Sequence, residues 1–330
     1  MLEHGGRLLR AIAHYGIARE NWLDLSSGIA PWSFPIPEIP LRAWARLPET
    51  DDGLEQAAAE YYGASHLLPV AGSQAAIQAL PRLRPRGSAG VLSPCYAEHA
   101  EGWRRAGHHV LELSEEQLAG QLDHLDVLVV VNPNNPTGRL LPADTLLDWH
   151  QRLSRHGGWL LVDEAFMDNT PAQSIAAYSE REGLIVLRSF GKFFGLAGVR
   201  LGCVLAEPLL LRALAEELGP WSVSGPTRAL AQACFTDLAS QRQQTERCAA
   251  ASARLAALLD SAGLTPAGGC DLFQYLRHDQ AAAIHDFMAR RGILLRLFDH
   301  PPSLRFGLPA EDADWQRLAV ALDDYRKETP

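Results

Sequence analysis

The run Leu125-Asp126-Val127-Leu128-Val129-Val130-Val131-Asn132 constrains this chain more than any other segment. Its apolar residues follow one another without alternation, the pattern of a strand buried on both faces. Parallel sheets provide that cover through crossover helices. Related runs recur at 90–93, 110–113, 159–163, 184–189 and 202–205, with helical patterns between them, such as 97–106 and 143–154. Strand–helix alternation of this kind predicts an α/β fold with an open, mainly parallel sheet. Ligands in such sheets sit beyond the carboxyl ends of the strands.

Past about residue 226 the texture changes. A stretch rich in Ala, Arg and Gln, 227–262, reads as one or two long helices, with Gly263, Gly268 and Gly269 punctuating its end. Strand-like runs follow at 272–276, 293–298 and 304–308, with a helical pattern between the first two and a closing helix from Glu311. This order predicts a smaller α+β domain. The Pro-rich segment 31–40 reads as an extended strap. The expected division is an N-terminal arm and strap at 1–40, a large domain at 41–225 and a small domain at 226–330.

The 330 residues suffice to bury a core without help from metal or disulfides. Acidic residues outnumber basic ones by 39 to 30, a formal charge of −9. A non-specific nucleic-acid binder carries the opposite balance, so nucleic acid is not an expected partner; a local basic pocket for one small anion stays open. The five cysteines, Cys95, Cys203, Cys234, Cys248 and Cys270, form no C-x-x-C pair. That disfavours zinc or a disulfide framework and points to a reducing compartment. No apolar run approaches the roughly 18 residues of a membrane span. Glu3, His4, Arg7 and Arg10 interrupt the N-terminal segment, which therefore does not read as a secretion signal. A soluble cytoplasmic protein with no metal site is expected.

The residues that carry chemistry stand at the ends of the strand runs. Ser189-Phe190-Gly191-Lys192-Phe193-Phe194-Gly195 closes one of them, with Arg200 and Gly202 beyond. Alone, Lys192 reads either as a surface lysine or as an amine in a partly apolar pocket, where a depressed pKa suits Schiff-base formation. Ser189 and Arg200 bracket it with a hydroxyl and a guanidinium, a pair suited to phosphate. A phosphate beside a Schiff-base lysine describes pyridoxal phosphate. That cofactor needs a carboxylate to keep its pyridine nitrogen protonated, and Asp163 closes the run at 159–163. It needs a donor for its 3-oxygen, and Asn132-Pro133-Asn134-Asn135-Pro136-Thr137-Gly138 follows the run at 127–131. Ala71-Gly72-Ser73-Gln74 leads into a helical pattern whose first N–H groups suit a phosphate. Tyr96 offers an aromatic face to the ring. Each has a plainer reading too: Asp163 as a helix cap, the Asn/Pro segment as a tight turn, Gly72-Ser73 as a common cap and Tyr96 as a core aromatic.

Taken in order, the phosphate loop, the aromatic, N-P-N-N-P-T-G, D-E-A-F, S-x-x-K and an arginine eight residues past the lysine resemble one family. It is the class I/II aminotransferase superfamily of fold-type-I pyridoxal-phosphate enzymes, and the resemblance spans most of the chain. It implies an aspartate-aminotransferase-like fold: an α/β, mainly parallel-sheet large domain with a smaller α+β C-terminal domain. It also implies a homodimer whose sites lie at the subunit interface. Lys192 would be the Schiff-base lysine and would later move protons at the substrate carbon. Asp163 would pair with the pyridinium, Asn135 would bond the 3-oxygen and Tyr96 would stack on the ring. Gly72, Ser73, Ser189 and Arg200 would hold the phosphate. Leu304-Arg305-Phe306-Gly307 resembles the strand whose arginine binds the substrate α-carboxylate. Two departures stand out. Phe166 occupies a position where many relatives have a tyrosine that bonds the 3-oxygen. Arg46-Leu47-Pro48 replaces an R-Y-P whose tyrosine reaches the neighbouring subunit's cofactor phosphate. Both argue against an ordinary transaminase.

Within the family, three features resemble the branch that decarboxylates L-threonine O-3-phosphate to (R)-1-amino-2-propanol O-2-phosphate for cobalamin biosynthesis. They are the start His4-Gly5-Gly6, where the N-terminal arm helps recognise the substrate phosphate, the segment from Asp163 to Asp168 (D-E-A-F-M-D), and Pro220-Trp221-Ser222-Val223. The expected substrate is a small phosphorylated amino acid, held by His4, Gly5, Arg296 and Arg305. The alternative within the family is an aminotransferase of the histidinol-phosphate type. Outside it stand a binding module that keeps the fold without catalysis and a metal hydrolase using the twelve histidines. No H-E-x-x-H spacing supports the hydrolase.

Overall fold

The computed structural model describes residues 5–328, and its contacts gather into two compact units. The larger comprises residues 34–135 and 140–242; the smaller comprises the segment up to residue 33, residues 136–139 and the chain from 243 onward.

A seven-stranded sheet organises the larger unit. Its order is Leu67–Val70, Gly202–Leu205, Leu184–Ser189, Trp159–Asp163, Val127–Val131, Ser88–Leu92 and His109–Leu113. Gly202–Leu205 runs against both its neighbours, and the other pairings are parallel. The strand Val127–Val131 is buried along its whole length. Its successive residues feed two separate cores. Leu128 and Val130 join Leu160, Val162, Leu184 and Val186 on one face, while Val127 and Val129 join Leu161, Ile185 and Leu187 on the other. This two-sided burial explains the unbroken apolar runs, and each such side chain contributes about 1.5–3 kcal/mol. Leu67–Val70 does not stand out in the sequence because Pro69 interrupts it. It lies at the sheet's edge, where a missing N–H is tolerated.

The smaller unit carries an antiparallel sheet in the order Arg296–Phe298, Ser303–Gly307, Phe273–Arg277 and Gly268–Cys270. Beside it Leu23–Asp24 pairs in parallel with Ile293–Leu294. The glycines at 268 and 269 thus open a strand as well as ending a helical stretch. The stretch read at 227–262 is two helices, Gly225–Thr236 and Leu238–Ser261. They part at Asp237, whose carboxylate accepts from the Ser240 N–H at 3.0 Å. The chain closes with the helix Asp312–Glu328. Residues 31–40 form neither helix nor strand. No helix among the described residues is long and apolar enough to cross a membrane.

One cluster of charge is sealed inside the larger unit. Arg188 lies 2.8 Å from Glu164 and 3.2 Å from Asp168, with all three side chains buried. Its guanidinium also stands 4.5 Å from the ring centroid of Tyr62. Burial pushes the Glu164 carboxyl up, while Arg188, Ser174 and the Ile175 N–H pull against that shift. Breaking a buried ion cluster by removing one partner is costly, since the remaining charge has no solvent to turn to. Arg188→Met is expected to destabilise the protein by about 3–5 kcal/mol, read from urea unfolding curves. A midpoint unchanged from wild type contradicts this.

Candidate active site

Three segments that carry predicted site residues leave the sheet at the same edge. Val131 lies opposite Asp163, and Asp163 opposite Leu187. The Asn132 N–H donates to the Asp163 carbonyl at 2.9 Å and the Glu164 N–H to the Leu187 carbonyl at 2.8 Å. The chain then runs on toward Asn135, Phe166 and Lys192 from the carboxyl ends of three neighbouring parallel strands, where α/β sheets hold ligands. Asn132 braces its own turn, since its Oδ1 accepts from the Leu141 N–H at 2.7 Å and its Nδ2 donates to the Leu141 carbonyl at 3.2 Å. Asn134 donates to the Pro94 carbonyl at 2.8 Å. Turn chemistry therefore accounts for Asn132 and Asn134, and Asn135 stands half-buried after them.

Asp163 is only 3 % exposed. Its Oδ1 accepts from the Ala165 N–H at 3.0 Å, a local bond that braces the turn after the strand, and no helix starts here for it to cap. Its Oδ2 lies 2.8 Å from Nε2 of His99, itself 1 % exposed. A carboxylate oxygen accepts two hydrogen bonds, which leaves capacity for a further donor on each. The sequence reading did not single out His99. Its signal was present: His99, Ala100 and Trp103 share the buried face of the helix Glu98–Arg105, and an imidazole on such a face needs a polar partner.

Ser189 pairs with Gly202, and Gly202 with Val70, so the segments at 70–73, 189 and 200–202 come together. Gly72 adopts φ +73° and ψ 153°, a region open almost only to glycine. A Cβ at Gly72 would stand 2.8 Å from Nη2 of Arg200. Arg200 is exposed and holds a left-handed backbone, φ 58°, with its Nη1 donating to the Ala197 carbonyl at 3.2 Å. Ser73 begins the helix Ser73–Ala79, so its first N–H groups and the guanidinium meet where a glycine keeps the space open.

The Lys192 ammonium lies 5.6 Å from the ring centroid of Phe166, which presents an aromatic face where a tyrosine would present a hydroxyl. Tyr96 is half-buried and donates from its hydroxyl to Gln74 Oε1 at 3.1 Å. Burial, with Glu98 and Asp163 nearby, pushes its phenol up to about 12, so it stays protonated.

In the smaller unit Arg296 and Arg305 stand directly opposite each other on paired strands. Arg305 is buried, donates from Nη2 to the Ser26 carbonyl at 2.9 Å and has its guanidinium 5.1 Å from the Phe273 ring centroid. Burial, opposed by Cys270 and reinforced by the positive Arg296, pushes its pKa down to about 10. It is still a cation at neutral pH. Like charges directly opposite repel, and an anion between them relieves the repulsion. Gly5 is exposed, and His4 lies outside the described residues.

The larger unit's residues fit pyridoxal phosphate. Asp163 matches a protonated ring nitrogen, Lys192 supplies an amine for an aldehyde, and the Gly72 cradle with Arg200 and Ser189 matches a phosphate dianion.

The sequence matches the family described as "Aminotransferase class I and II" over residues 41–322. A threonine-phosphate decarboxylase of Pseudomonas aeruginosa is 63% identical over 327 residues, covering 99% of both chains. One from Sinorhizobium sp is 44% identical over 330 residues, covering 97% of each. Among solved structures, histidinol-phosphate aminotransferase from Sinorhizobium meliloti in complex with pyridoxal-5'-phosphate superposes with a TM-score of 0.85 at 21% identity, covering 100% of this chain and 96% of that one. That likeness bears out the expected fold.

His99→Leu removes a hydrogen-bond partner from a buried carboxylate, a change worth about 1.5–3 kcal/mol. The apoenzyme variant is expected to bind pyridoxal phosphate at least about tenfold more weakly, measured by fluorescence titration. Wild-type affinity would count against a role for the His99–Asp163 pair.

Proposed function

We propose that this chain, which belongs to the aminotransferase class I and II family, decarboxylates L-threonine O-3-phosphate to (R)-1-amino-2-propanol O-2-phosphate, a step of cobalamin biosynthesis. The observation that carries this reading is the 63% identity to the Pseudomonas aeruginosa threonine-phosphate decarboxylase across 99% of both chains. The paired cations Arg296 and Arg305 support it, because the substrate brings a carboxylate and a phosphate on one small molecule.

Pyridoxal phosphate supplies an electron sink for the pair left when a bond to the substrate α-carbon breaks. Asp163 keeps the proton on the ring nitrogen that makes the sink effective, and His99 with the Ala165 N–H holds that carboxylate in place. Gly72, Ser73, Ser189 and Arg200 would anchor the cofactor phosphate, Asn135 would bond the 3-oxygen and Tyr96 would cover the ring. Lys192 would supply the amine for the cofactor's aldehyde, and its ammonium would give the α-carbon the proton that replaces the lost carboxylate. Arg305 and Arg296, with His4 and Gly5, bind the substrate's two anionic ends. Their grip would fix the orientation of the substrate carboxylate, and that orientation separates loss of the carboxylate from loss of a proton. Phe166 cannot donate to the 3-oxygen and gives the Lys192 amine an apolar neighbour instead.

A homodimer acting in the cytoplasm completes the reading. Ile36, Leu41, Trp44 and Leu47 are 64%, 80%, 65% and 62% exposed within twelve residues, an apolar surface that a second copy would cover. None of the five cysteines is in a disulfide, which suits a reducing compartment.

The holoenzyme incubated with L-threonine O-3-phosphate is expected to release carbon dioxide and aminopropanol phosphate in equal amounts. Amino transfer to 2-oxoglutarate without carbon dioxide would establish the aminotransferase alternative instead. Borohydride reduction is expected to fix the cofactor on Lys192 in the wild type, while Lys192→Ala takes up no label and forms no product. Trp44→Glu is expected to shift the protein from dimer to monomer in sedimentation velocity; a wild-type profile would argue against this surface as the interface.

A further inference from the structure

The strand Leu23–Asp24 continues into Leu25-Ser26-Ser27, a stretch held from both sides. The Leu25 N–H donates to the Leu294 carbonyl and the Gly307 N–H donates to the Leu25 carbonyl, each at 2.8 Å. A Cβ at position 307 would lie 2.4 Å from the Ser27 carbonyl oxygen, so only glycine lets this backbone lie against the arginine strand. That close approach brings the Ser26 carbonyl to 2.9 Å from Nη2 of Arg305.

The same residue receives the N-terminal segment. The Gly6 N–H donates to Ser26 Oγ at 2.8 Å. The Ser26 hydroxyl spends its own proton on Asp24 Oδ1 at 2.6 Å, which also accepts from the Ser26 N–H at 2.9 Å. Asp24 thereby turns the hydroxyl's lone pairs toward Gly6. Gly5 packs against the opposite side of the residue: a Cβ there would stand 2.3 Å from the Ser26 carbonyl oxygen, the atom to which Arg305 donates. Ser26 is 3 % exposed, so none of these partners is readily replaced by water.

We propose that Ser26 is a positioning residue that seats the Gly5-Gly6 segment and the Arg305 guanidinium on one peptide unit, so that the receptors for the two anionic ends of the substrate are placed together. The proposal rests on the substrate reading given above. A small molecule with a carboxylate and a phosphate a fixed distance apart gains from both receptors only if their separation is fixed beforehand. Ser26 fixes it with its hydroxyl toward the arm and its carbonyl toward the arginine. Asp24 sets the direction of the hydroxyl.

Ser26→Ala deletes the acceptor for Gly6 and keeps the carbonyl for Arg305. It is expected to raise KM for L-threonine O-3-phosphate about tenfold, the loss of about one hydrogen bond, with kcat within about a factor of two. Hydrogen exchange at the Gly6 amide of the substrate-free holoenzyme is expected to accelerate. In a chain lacking residues 1–6 the same substitution is expected to change KM no further. An equal rise in KM with and without those residues, or wild-type Gly6 exchange in Ser26→Ala, overturns the proposal. If Ser26→Ala does not fold, Asp24→Ala, at an exposed position, takes its place with the same expected split, and Asp24→Asn, which retains an acceptor, restores KM. A wild-type enzyme that releases no carbon dioxide from this substrate fails the functional reading instead, and Gly6 exchange then decides the positioning role alone.

Discussion

The structure depends on a carboxylate sealed at the end of a buried strand. An ion removed from water costs several kcal/mol unless its lone pairs are met. Asp163 meets part of that cost with the His99 imidazole and the Ala165 N–H. A third partner carrying positive charge lowers it further, which is why a protonated ring nitrogen is the partner proposed for this buried carboxylate. The next residue, Glu164, is a carboxylate buried just as deeply. It is matched internally by Arg188, so it has nothing to offer a ligand. The two adjacent acids thus differ in their partners: Glu164 faces an arginine, and Asp163 an imidazole and a backbone N–H.

The same distinction runs through the basic residues. A net charge of −9 says nothing about anion binding, because what matters is where a few guanidinium groups sit. Arg188 is consumed by Glu164 and Asp168, and Arg228 by Asp52 and Glu55 at 2.6 Å each. Arg305 donates to the Ser26 carbonyl and has a second arginine opposite it, an arrangement whose repulsion an incoming anion relieves.

Much of the fold was legible because two-sided burial writes continuous apolar runs. The strands Val127–Val131, Trp159–Asp163, Leu184–Ser189 and Gly202–Leu205 have the bounds read from sequence. Leu67–Val70 was not legible, since an edge strand tolerates the proline that a central strand cannot. Leu23–Asp24 is two residues long and exists only because a partner from the other end of the chain pairs with it. At the site, residues at strand ends were readable because α/β sheets put ligands there. His99 was not, because its role comes from a contact 64 positions away that no local pattern records. Ser26 is hidden for the same reason: its carbonyl partner is 279 positions along the chain.

The composition of the smaller unit from both ends of the chain orders events during synthesis. The segment up to residue 33 leaves the ribosome before the larger unit, yet its strand cannot form until Ile293 and Leu294 have followed. The larger unit lies almost wholly within residues 34–242 and is complete some fifty residues before that pairing becomes available. The opening segment must therefore wait, unpaired, while the larger unit has its whole chain to fold with. The peptide that seats Arg305 is thus made before the larger unit and paired only after it.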